Sequence, residues 1–170
     1  GSLDRCHRLC STVHMVARNN RLAGLRAKRQ GQAFEDIFYR ACMAKRVAIT
    51  RFPEGCRRVG PKRLVQVKTP FDWLVSYKNR TALIDTKSVS GAFFPNSAIE
   101  GHQVSEMLKH AEHGVIGGYV VWLRLVNHVI FIPATLLAAN YEVKGSIGHM
   151  NANVTLLGPC GNIDITQIFS

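Results

Sequence analysis

The feature that most constrains this chain is a predicted hairpin at residues 71–88, which reads FDWLVSYKNRTALIDTKS. FDWLVSY and TALIDTKSV are typical of strands because they are rich in β-branched, aromatic and aliphatic residues, and the polar KNR between them indicates a turn. The hairpin reads as buried, yet it carries three charged side chains: Asp72, Asp85 and Lys87. Charges in a buried hairpin need a physical reason.

The strand geometry brings these charges together. Successive side chains of a strand point to opposite faces, so Asp85 and Lys87 share one face and Thr86 lies on the other. Antiparallel pairing through the short turn places Asp72 near the same end of the hairpin. The alternative is a salt bridge on a surface strand, with the charges solvated at a sheet edge.

Three converging charges of this kind suit phosphodiester hydrolysis. Two buried carboxylates side by side raise the pKa of one of them or require a cation. Ligands that are all oxygen select a hard metal such as Mg²⁺, which keeps waters in the rest of its shell. A neighbouring ammonium group can orient or deprotonate a water and stabilise charge that builds on phosphorus.

The charge of the chain points to a polyanionic partner. The sequence has 22 Lys and Arg against 11 Asp and Glu, a formal net charge of +11. Residues 1–70 hold 16 of the basic and 4 of the acidic side chains, so the excess lies in this part. Nucleic acid is the favoured partner because phosphate contacts release counterions. An acidic protein or a membrane surface stays open as an alternative.

The remaining pattern predicts an α/β or α+β domain with one mixed sheet between helices. Helices are predicted over residues 3–29, 31–46 and 99–113, the last two with one apolar stripe each. VAITRF, KRLVQVKT, GYVVWLRL and HVIFIP read as further strands. The basic stretch PEGCRRVGPKR is predicted to protrude. We divide the chain into a basic helical segment (1–29), a core (30–141) and a C-terminal extension of the same domain (142–170).

Composition also predicts the cellular setting. No apolar run approaches the roughly 18 residues of a membrane span, and no signal peptide opens the chain. We expect a soluble, cytoplasmic protein. Five cysteines without paired spacing indicate free thiols rather than a disulfide framework.

Several short blocks, taken together, resemble a known family. The blocks are Gln32-Ala33-Phe34-Glu35, Asp72, Asp85-Thr86-Lys87-Ser88, Phe94-Pro95 and His102-Gln103. Over roughly residues 30–140 they resemble the RecU-type Holliday junction resolvases of the PD-(D/E)XK nuclease superfamily. The resemblance implies a restriction-endonuclease-like core and a homodimer that nicks two strands symmetrically at a four-way DNA junction.

The resemblance also implies roles for individual residues. Its metal, Mg²⁺ with Mn²⁺ as an expected substitute, would be bound by Asp72, Asp85 and the backbone carbonyl of Thr86. Lys87 would handle the attacking water, and one side chain from each flanking helix would complete the site. The catalytic residues implied are therefore Glu35, Asp72, Asp85, Lys87 and Gln103.

Basic side chains outside this cluster are predicted to contact DNA phosphates from the protruding stretch and from the segment before the first core helix. They are Arg26, Lys28, Arg29, Arg57, Arg58, Lys62 and Arg63. Two alternatives remain open from the sequence: a basic nucleic-acid-binding module without catalysis, and a nuclease of the same fold that acts on other DNA or RNA.

Overall fold

The structure is a computed structural model that describes residues 3–53, 55–58, 61, 64–67 and 69–170, with side chains described for 23–53, 61 and 69–170. The chain divides into two compact units, residues 1–33 and 34–170. Three α-helices are present in the described residues: α1 (Leu3–Ala44), α2 (Gly101–Ala111) and α3 (Ala134–Val143). The strands are β1 (Ala48–Arg51), β2 (Gly55–Arg58), β3 (Leu64–Val67), β4 (Trp73–Tyr77), β5 (Arg80–Val89), β6 (Phe93–Pro95), β7 (Ile116–Leu123), β8 (His128–Pro133), β9 (Ser146–Gly148) and β10 (Thr155–Pro159).

The second unit is built on a six-stranded sheet with the order β1-β4-β5-β7-β8-β10. The central pair β5 and β7 is parallel and the other pairs are antiparallel, so the sheet is mixed. Helix α2 connects the parallel pair, as a parallel connection requires. This confirms the predicted class, an α/β fold with a central mixed sheet flanked by helices. Two small sheets, β2-β3 and β6-β9, lie apart from it.

The predicted hairpin is β4-β5, and its turn is tighter than KNR. Tyr77 pairs with Arg80, which leaves only Lys78 and Asn79 in the turn. Both have positive φ, 46° and 63°. Positive φ at both central residues is the signature of a type I′ turn, whose twist matches that of paired strands. Arg80 therefore belongs to β5 rather than to the turn.

The sheet separates two apolar layers, and β5 contributes to both. Ile84 packs with Phe34 and Phe38 of α1 in one layer, whereas Leu83 packs with Met107 of α2 in the other. The alternation predicted for β5 and the apolar stripes predicted for these two helices are thereby confirmed. Each layer covers one face of the sheet near the end where the charged residues lie.

Strand β7 carries two glycines where other elements approach its backbone closely. A Cβ at Gly118 would lie 2.4 Å from the carbonyl oxygen of Ile132. A Cβ at Gly117 would lie 2.7 Å from the Cβ of Met107 on α2. Glycine here lets β8 and α2 pack against β7, which holds α2 close to the end of β5.

Parts of the chain differ from the sequence prediction. Helix α3 and strands β6, β9 and β10 were not predicted, and β2 forms within the basic stretch expected to protrude. β2 pairs with β3, which follows the basic stretch. Most of the other residues of the basic stretch lie outside the described part of the chain. The segment 142–170 contributes β10 to the edge of the main sheet.

Two further sequence expectations concern the cysteines and the membrane. Cys42 and Cys160, the cysteines whose side chains are described, are buried and free. Within the described part of the chain, no helix combines the length and apolarity needed to cross a membrane.

Candidate active site

A cleft of about 280 Å³ opens where β4 and β5 meet the start of α2, and we call it the acidic cleft. It gathers all six residues assigned to catalysis or metal binding, five by their side chains and Thr86 by its backbone carbonyl; their chemical roles remain predictions. The described residues that line it are Glu35, Arg51, Phe52, Thr69, Asp72, Asp85, Thr86, Lys87, Glu100 and Gln103.

Asp85 forms the floor of the acidic cleft and is only 2% exposed. Its Oδ1 accepts a hydrogen bond from Gln103 Nε2 at 3.1 Å. Lys87 Nζ lies 2.8 Å from Oδ2, but its direction does not suit a hydrogen bond, and Oδ2 has no hydrogen-bond donor. Burial raises the pKa of Asp85 to about 7; the Lys87 charge opposes this, while the charge and hydrogen bonding of Asp72 add to it.

Asp72 lies immediately before β4 and faces the β5 backbone. Its Oδ2 accepts hydrogen bonds from Thr86 N at 3.2 Å and from Thr86 Oγ1 at 3.3 Å. Trp73 Nε1 donates to Thr86 Oγ1 at 3.4 Å, which fixes the hydroxyl between the two. The hairpin register therefore holds Asp72 beside Asp85, as the sequence predicted.

Lys87 bridges two carboxyl groups. Its Nζ lies 2.8 Å from Asp85 Oδ2 and 2.8 Å from Glu100 Oε1. Burial disfavours the ammonium form, but the contacts with the Asp85 and Glu100 carboxylates together outweigh burial. The pKa of Lys87 is therefore raised above its ordinary value. At neutral pH the side chain is a cation and a hydrogen-bond donor.

Glu35, predicted from the helix, lies at the edge of the acidic cleft and is paired. Arg51 Nη2 donates to Glu35 Oε2 at 2.6 Å, and the Arg51 guanidinium lies 5.3 Å from the centre of the Trp73 ring. Burial raises the pKa of Glu35; Arg51 lowers it and the charge of Asp72 raises it. Glu35 thus belongs to the same electrostatic group as the two aspartates.

Sequence reasoning missed several residues of this site, among them Arg51, Glu100 and Tyr119. Glu100 precedes the first residue of α2 and contacts Lys87. Tyr119 is fully buried and donates from its hydroxyl to Gln103 Oε1 at 2.6 Å. The available signals were an acid three residues before Gln103 at a helix start, where carboxylates are favoured, and one hydroxyl-bearing residue in an apolar strand, since a buried Tyr hydroxyl usually has a partner.

The acidic cleft is suited to a divalent cation in a limited way. Among the described residues, no group of three or more His, Cys, Asp or Glu lies close enough to hold a metal. The site offers the two carboxylates of Asp72 and Asp85 instead, and the buried Asp85 Oδ2 lacks a hydrogen-bond donor. Mg²⁺ is commonly held by one or two carboxylates together with waters and substrate phosphates, so these residues fit that ion.

The charge of the acidic cleft supports the same conclusion. Of the described residues that line it, four are carboxylic acids and two are cations. When all are ionised, the cleft carries net negative charge and repels a phosphodiester. A bound divalent cation would neutralise this charge. A larger groove of about 450 Å³ lies between the end of α1 and residues 160–163, but no carboxylate or histidine is among its described lining residues.

The predicted DNA-contacting residues are only partly described. Arg26, Lys28 and Arg29 are exposed on α1, within the first unit. Of those predicted in the basic stretch, Arg57 and Arg58 lie in β2 with side chains outside the described set. Lys62 and Arg63 lie outside the described residues.

Comparison with known proteins gives likenesses in structure rather than in sequence. No protein-family model matches the chain, and no curated protein matches it significantly. Among solved structures, the chain is similar to the 1.6 Å resolution structure of Archaeoglobus fulgidus Hjc, a Holliday junction resolvase from an archaeal hyperthermophile. The sequence identity is 13% and the TM-score 0.46, and the match covers 78% of this chain and 91% of that chain.

Proposed function

We propose that this chain is a Mg²⁺-dependent, structure-selective endonuclease that resolves four-way DNA junctions as a homodimer, in the manner of the RecU-type resolvases that its sequence resembles. The observation that carries the proposal is the meeting of Asp72, Asp85 and Lys87 in one cleft. One acid lies immediately before β4 and the other in β5, and the amine lies 2.8 Å from the more buried of them, Asp85.

The cation would be held by Asp72 and Asp85, with the Thr86 backbone carbonyl as the further ligand that the family resemblance implies. When bound, it would neutralise charge on the scissile phosphate and make a coordinated water more acidic. Asp85 Oδ2 is paired with the Lys87 ammonium at 2.8 Å, so the cation would share this oxygen with Lys87. The proton that the raised pKa of Asp85 retains would leave as the cation enters.

The chain's own cation would act on the phosphate. Lys87 is held at the rim of Asp85 with a raised pKa, so at neutral pH it donates hydrogen bonds to a phosphate oxygen or to a water aligned for attack. Gln103 keeps Asp85 in place through its 3.1 Å hydrogen bond. Glu35 lies at the edge of the acidic cleft, and its partner Arg51 adds a second positive charge for the DNA backbone.

The basic residues of the first 70 positions would supply affinity that does not depend on sequence, through phosphate contacts. Homodimerisation follows from the family resemblance and from the need for two cuts related by a two-fold axis. The same charge distribution also favours a second candidate, a basic nucleic-acid-binding module whose acidic pair is structural.

Cleavage of a mobile four-way junction tests the proposal. The protein is incubated with labelled junction in Mg²⁺, with EDTA as the control, and beside linear duplex, single-stranded DNA and RNA. We expect symmetric paired nicks in the junction only when Mg²⁺ is present. Shifted but intact DNA would support the binding module, and faster cleavage of another substrate would indicate a nuclease of different specificity.

Variants locate the reaction in the acidic cleft. Lys87→Ala and Asp85→Asn should abolish cleavage while junction binding is retained. Asp36→Asn is a matched control, because Asp36 is an exposed acid next to Glu35 that is not among the described lining residues of the cleft. Full activity in either cleft variant would overturn the mechanism.

A further inference from the structure

A buried tyrosine lies behind the acidic cleft. Tyr119 is on β7 and pairs in register with Asp85 across the parallel β5-β7 contact. We propose that Tyr119 is a positioning residue, which orients Asp85 through Gln103 and thereby sets the carboxylate oxygens offered to a divalent cation. This inference rests on the proposed function in taking Asp85 as a cation ligand.

Three hydrogen bonds connect the tyrosine to the cleft. The backbone N–H of Glu100 donates to the Tyr119 hydroxyl oxygen at 3.1 Å. The hydroxyl donates to Gln103 Oε1 at 2.6 Å. The Gln103 amide nitrogen donates to Asp85 Oδ1 at 3.1 Å. We call this series the tyrosine relay.

The direction of every bond in the tyrosine relay follows from its two ends, the donating N–H of Glu100 and the accepting carboxylate of Asp85. A backbone N–H can only donate, so the Tyr119 oxygen accepts at that point and its proton points onward. The Gln103 carbonyl must receive that proton, and the amide NH₂ then faces Asp85. Asp85 Oδ1 is an acceptor in consequence, which leaves Oδ2 as the oxygen directed toward Lys87.

Burial makes the tyrosine relay rigid. Tyr119 is 0% exposed and Gln103 is 6% exposed, so no bulk water can replace a lost partner easily. Desolvation raises the pKa of Tyr119 to about 12, so the hydroxyl keeps its proton at neutral pH. The Tyr119 ring also lies 5.3 Å from Lys87 Nζ, so one side chain touches both the amide and the ammonium of the site.

Loss of the hydroxyl would remove the directional constraint. Without it the Gln103 amide keeps its bond to Asp85 Oδ1 but loses the bond to its own oxygen, so its orientation is less constrained. The Glu100 N–H at the start of α2 would also lose its acceptor, and the Glu100 carboxylate contacts Lys87. Both effects disorder the groups around Asp85 without changing any proposed cation ligand.

The test uses Tyr119→Phe, which deletes one oxygen and keeps the ring. Mg²⁺ affinity is measured by titration against the thermal unfolding midpoint, and the Gln103 side-chain amide is followed by ¹H–¹⁵N NMR in EDTA. We expect Mg²⁺ affinity to fall about 10- to 100-fold, the usual effect of removing a partner that orients a ligand. The Gln103 amide signals should move and lose protection from exchange.

Two further variants make the result specific. Tyr77→Phe is the control, because Tyr77 lies on β4 and packs against Phe169 in the opposite layer; it should leave both readouts unchanged. Gln103→Ala should lose as much Mg²⁺ affinity as Tyr119→Phe, and the double variant should lose no more, since both act through one chain of bonds. If Tyr119→Phe fails to fold, Gln103→Ala carries the test.

The outcomes separate this inference from the proposed function. Unchanged Mg²⁺ affinity and Gln103 signals in Tyr119→Phe, or additive losses in the double variant, would overturn the tyrosine relay even if the wild-type protein cleaves junctions. Weakened Mg²⁺ binding in Tyr119→Phe, in a protein that cleaves no nucleic acid, would uphold the relay and overturn the nuclease. A wild-type protein that binds no Mg²⁺ would overturn both.

Discussion

Lys87 Nζ lies 2.8 Å from Asp85 Oδ2, and the two side chains reach each other from alternate positions on the same face of β5. The pair is unequal in exposure: the Lys87 side chain is 22% exposed and that of Asp85 2%. Desolvation therefore acts more strongly on the acid, and the contact with Lys87 only partly offsets it. Burial therefore disfavours the charged form of Asp85, whereas the charged form of its neighbour Lys87 is stabilised.

This imbalance predicts how stability depends on pH in the absence of divalent cations. The pKa of Asp85 is about 7 in the folded protein against 3.8 for an ordinary Asp, so between these values the folded state binds more protons than the unfolded state. The free energy of unfolding should fall as pH rises from about 4 to 7 and level off above, by a few kcal/mol in order of magnitude.

Asp85→Asn should remove this pH dependence. At pH 8 its free energy of unfolding should exceed that of the wild type. Urea unfolding from pH 4 to 8 in EDTA measures it, with Asp36→Asn as the exposed control. Parallel curves for wild type and Asp85→Asn would show that Asp85 is not a strained acid.

Glu100→Gln should strengthen junction binding. Glu100 adds a negative charge to the acidic cleft and occupies Lys87 at 2.8 Å, so its neutral form leaves more positive potential for a phosphate. We expect affinity to rise about two- to fivefold at low salt and the gain to shrink as salt is added. Fluorescence anisotropy with a labelled junction in EDTA measures this.

The control for that change is Glu106→Gln, a partly exposed acid on α2 that pairs with Lys109 at 2.5 Å. It should alter affinity less than Glu100→Gln, because it is not among the described lining residues of the cleft. Equal gains from both variants would assign the effect to overall charge rather than to Lys87.

Arg51→Gln should raise the pKa of Glu35 further, because Arg51 is the main group that lowers it. Stability should change by less than about 1 kcal/mol, since the Arg51 side chain is 58% exposed and exposed ion pairs contribute little. A ¹³C NMR titration of the Glu35 carboxyl carbon and urea unfolding provide the two measurements. Arg40→Gln changes an exposed residue of α1 and should leave the pKa of Glu35 unchanged.

Gly118→Ala should destabilise the fold by about 1–3 kcal/mol, the usual cost of overpacking. The new Cβ would meet the backbone oxygen of Ile132 at 2.4 Å and the Phe131 ring at 2.5 Å. Gly161→Ala is the control, because a Cβ there meets nothing within 4 Å. Chemical denaturation compares the two, and equal stability would mean that β8 can move away from β7 at little cost.

The sequence was most informative where the regular spacing of a strand or helix determined which residues share a face. Asp85 and Lys87 could be placed on one face from the two-residue period of a strand, and Asp72 from hairpin pairing. Phe34 and Phe38 followed from helical spacing. In each case a short-range rule decides the position, and the structure agrees.

The missed parts lack such a rule. Glu100 lies just ahead of α2, where no period applies, and its contact with Lys87 depends on how that helix meets β5. Tyr119 lies in an apolar run of the sequence. Its partner Gln103 is on α2, 16 residues earlier. Helix α3 was overlooked because ATLLAANYEV has apolar residues around most of its circumference and follows a strand without a helix-start signal.

The two-residue turn at Lys78 and Asn79 reaches further than its size suggests. Because it fixes Tyr77 opposite Arg80, it also decides which side of the sheet every later residue of β5 occupies. One added residue, with the two-residue turn kept, would shift the pairing by a single step, send Asp85 toward the layer that contains Phe34 and Phe38, and put Ile84 in its place. A loop with no chemistry of its own thus determines whether the acids meet at all.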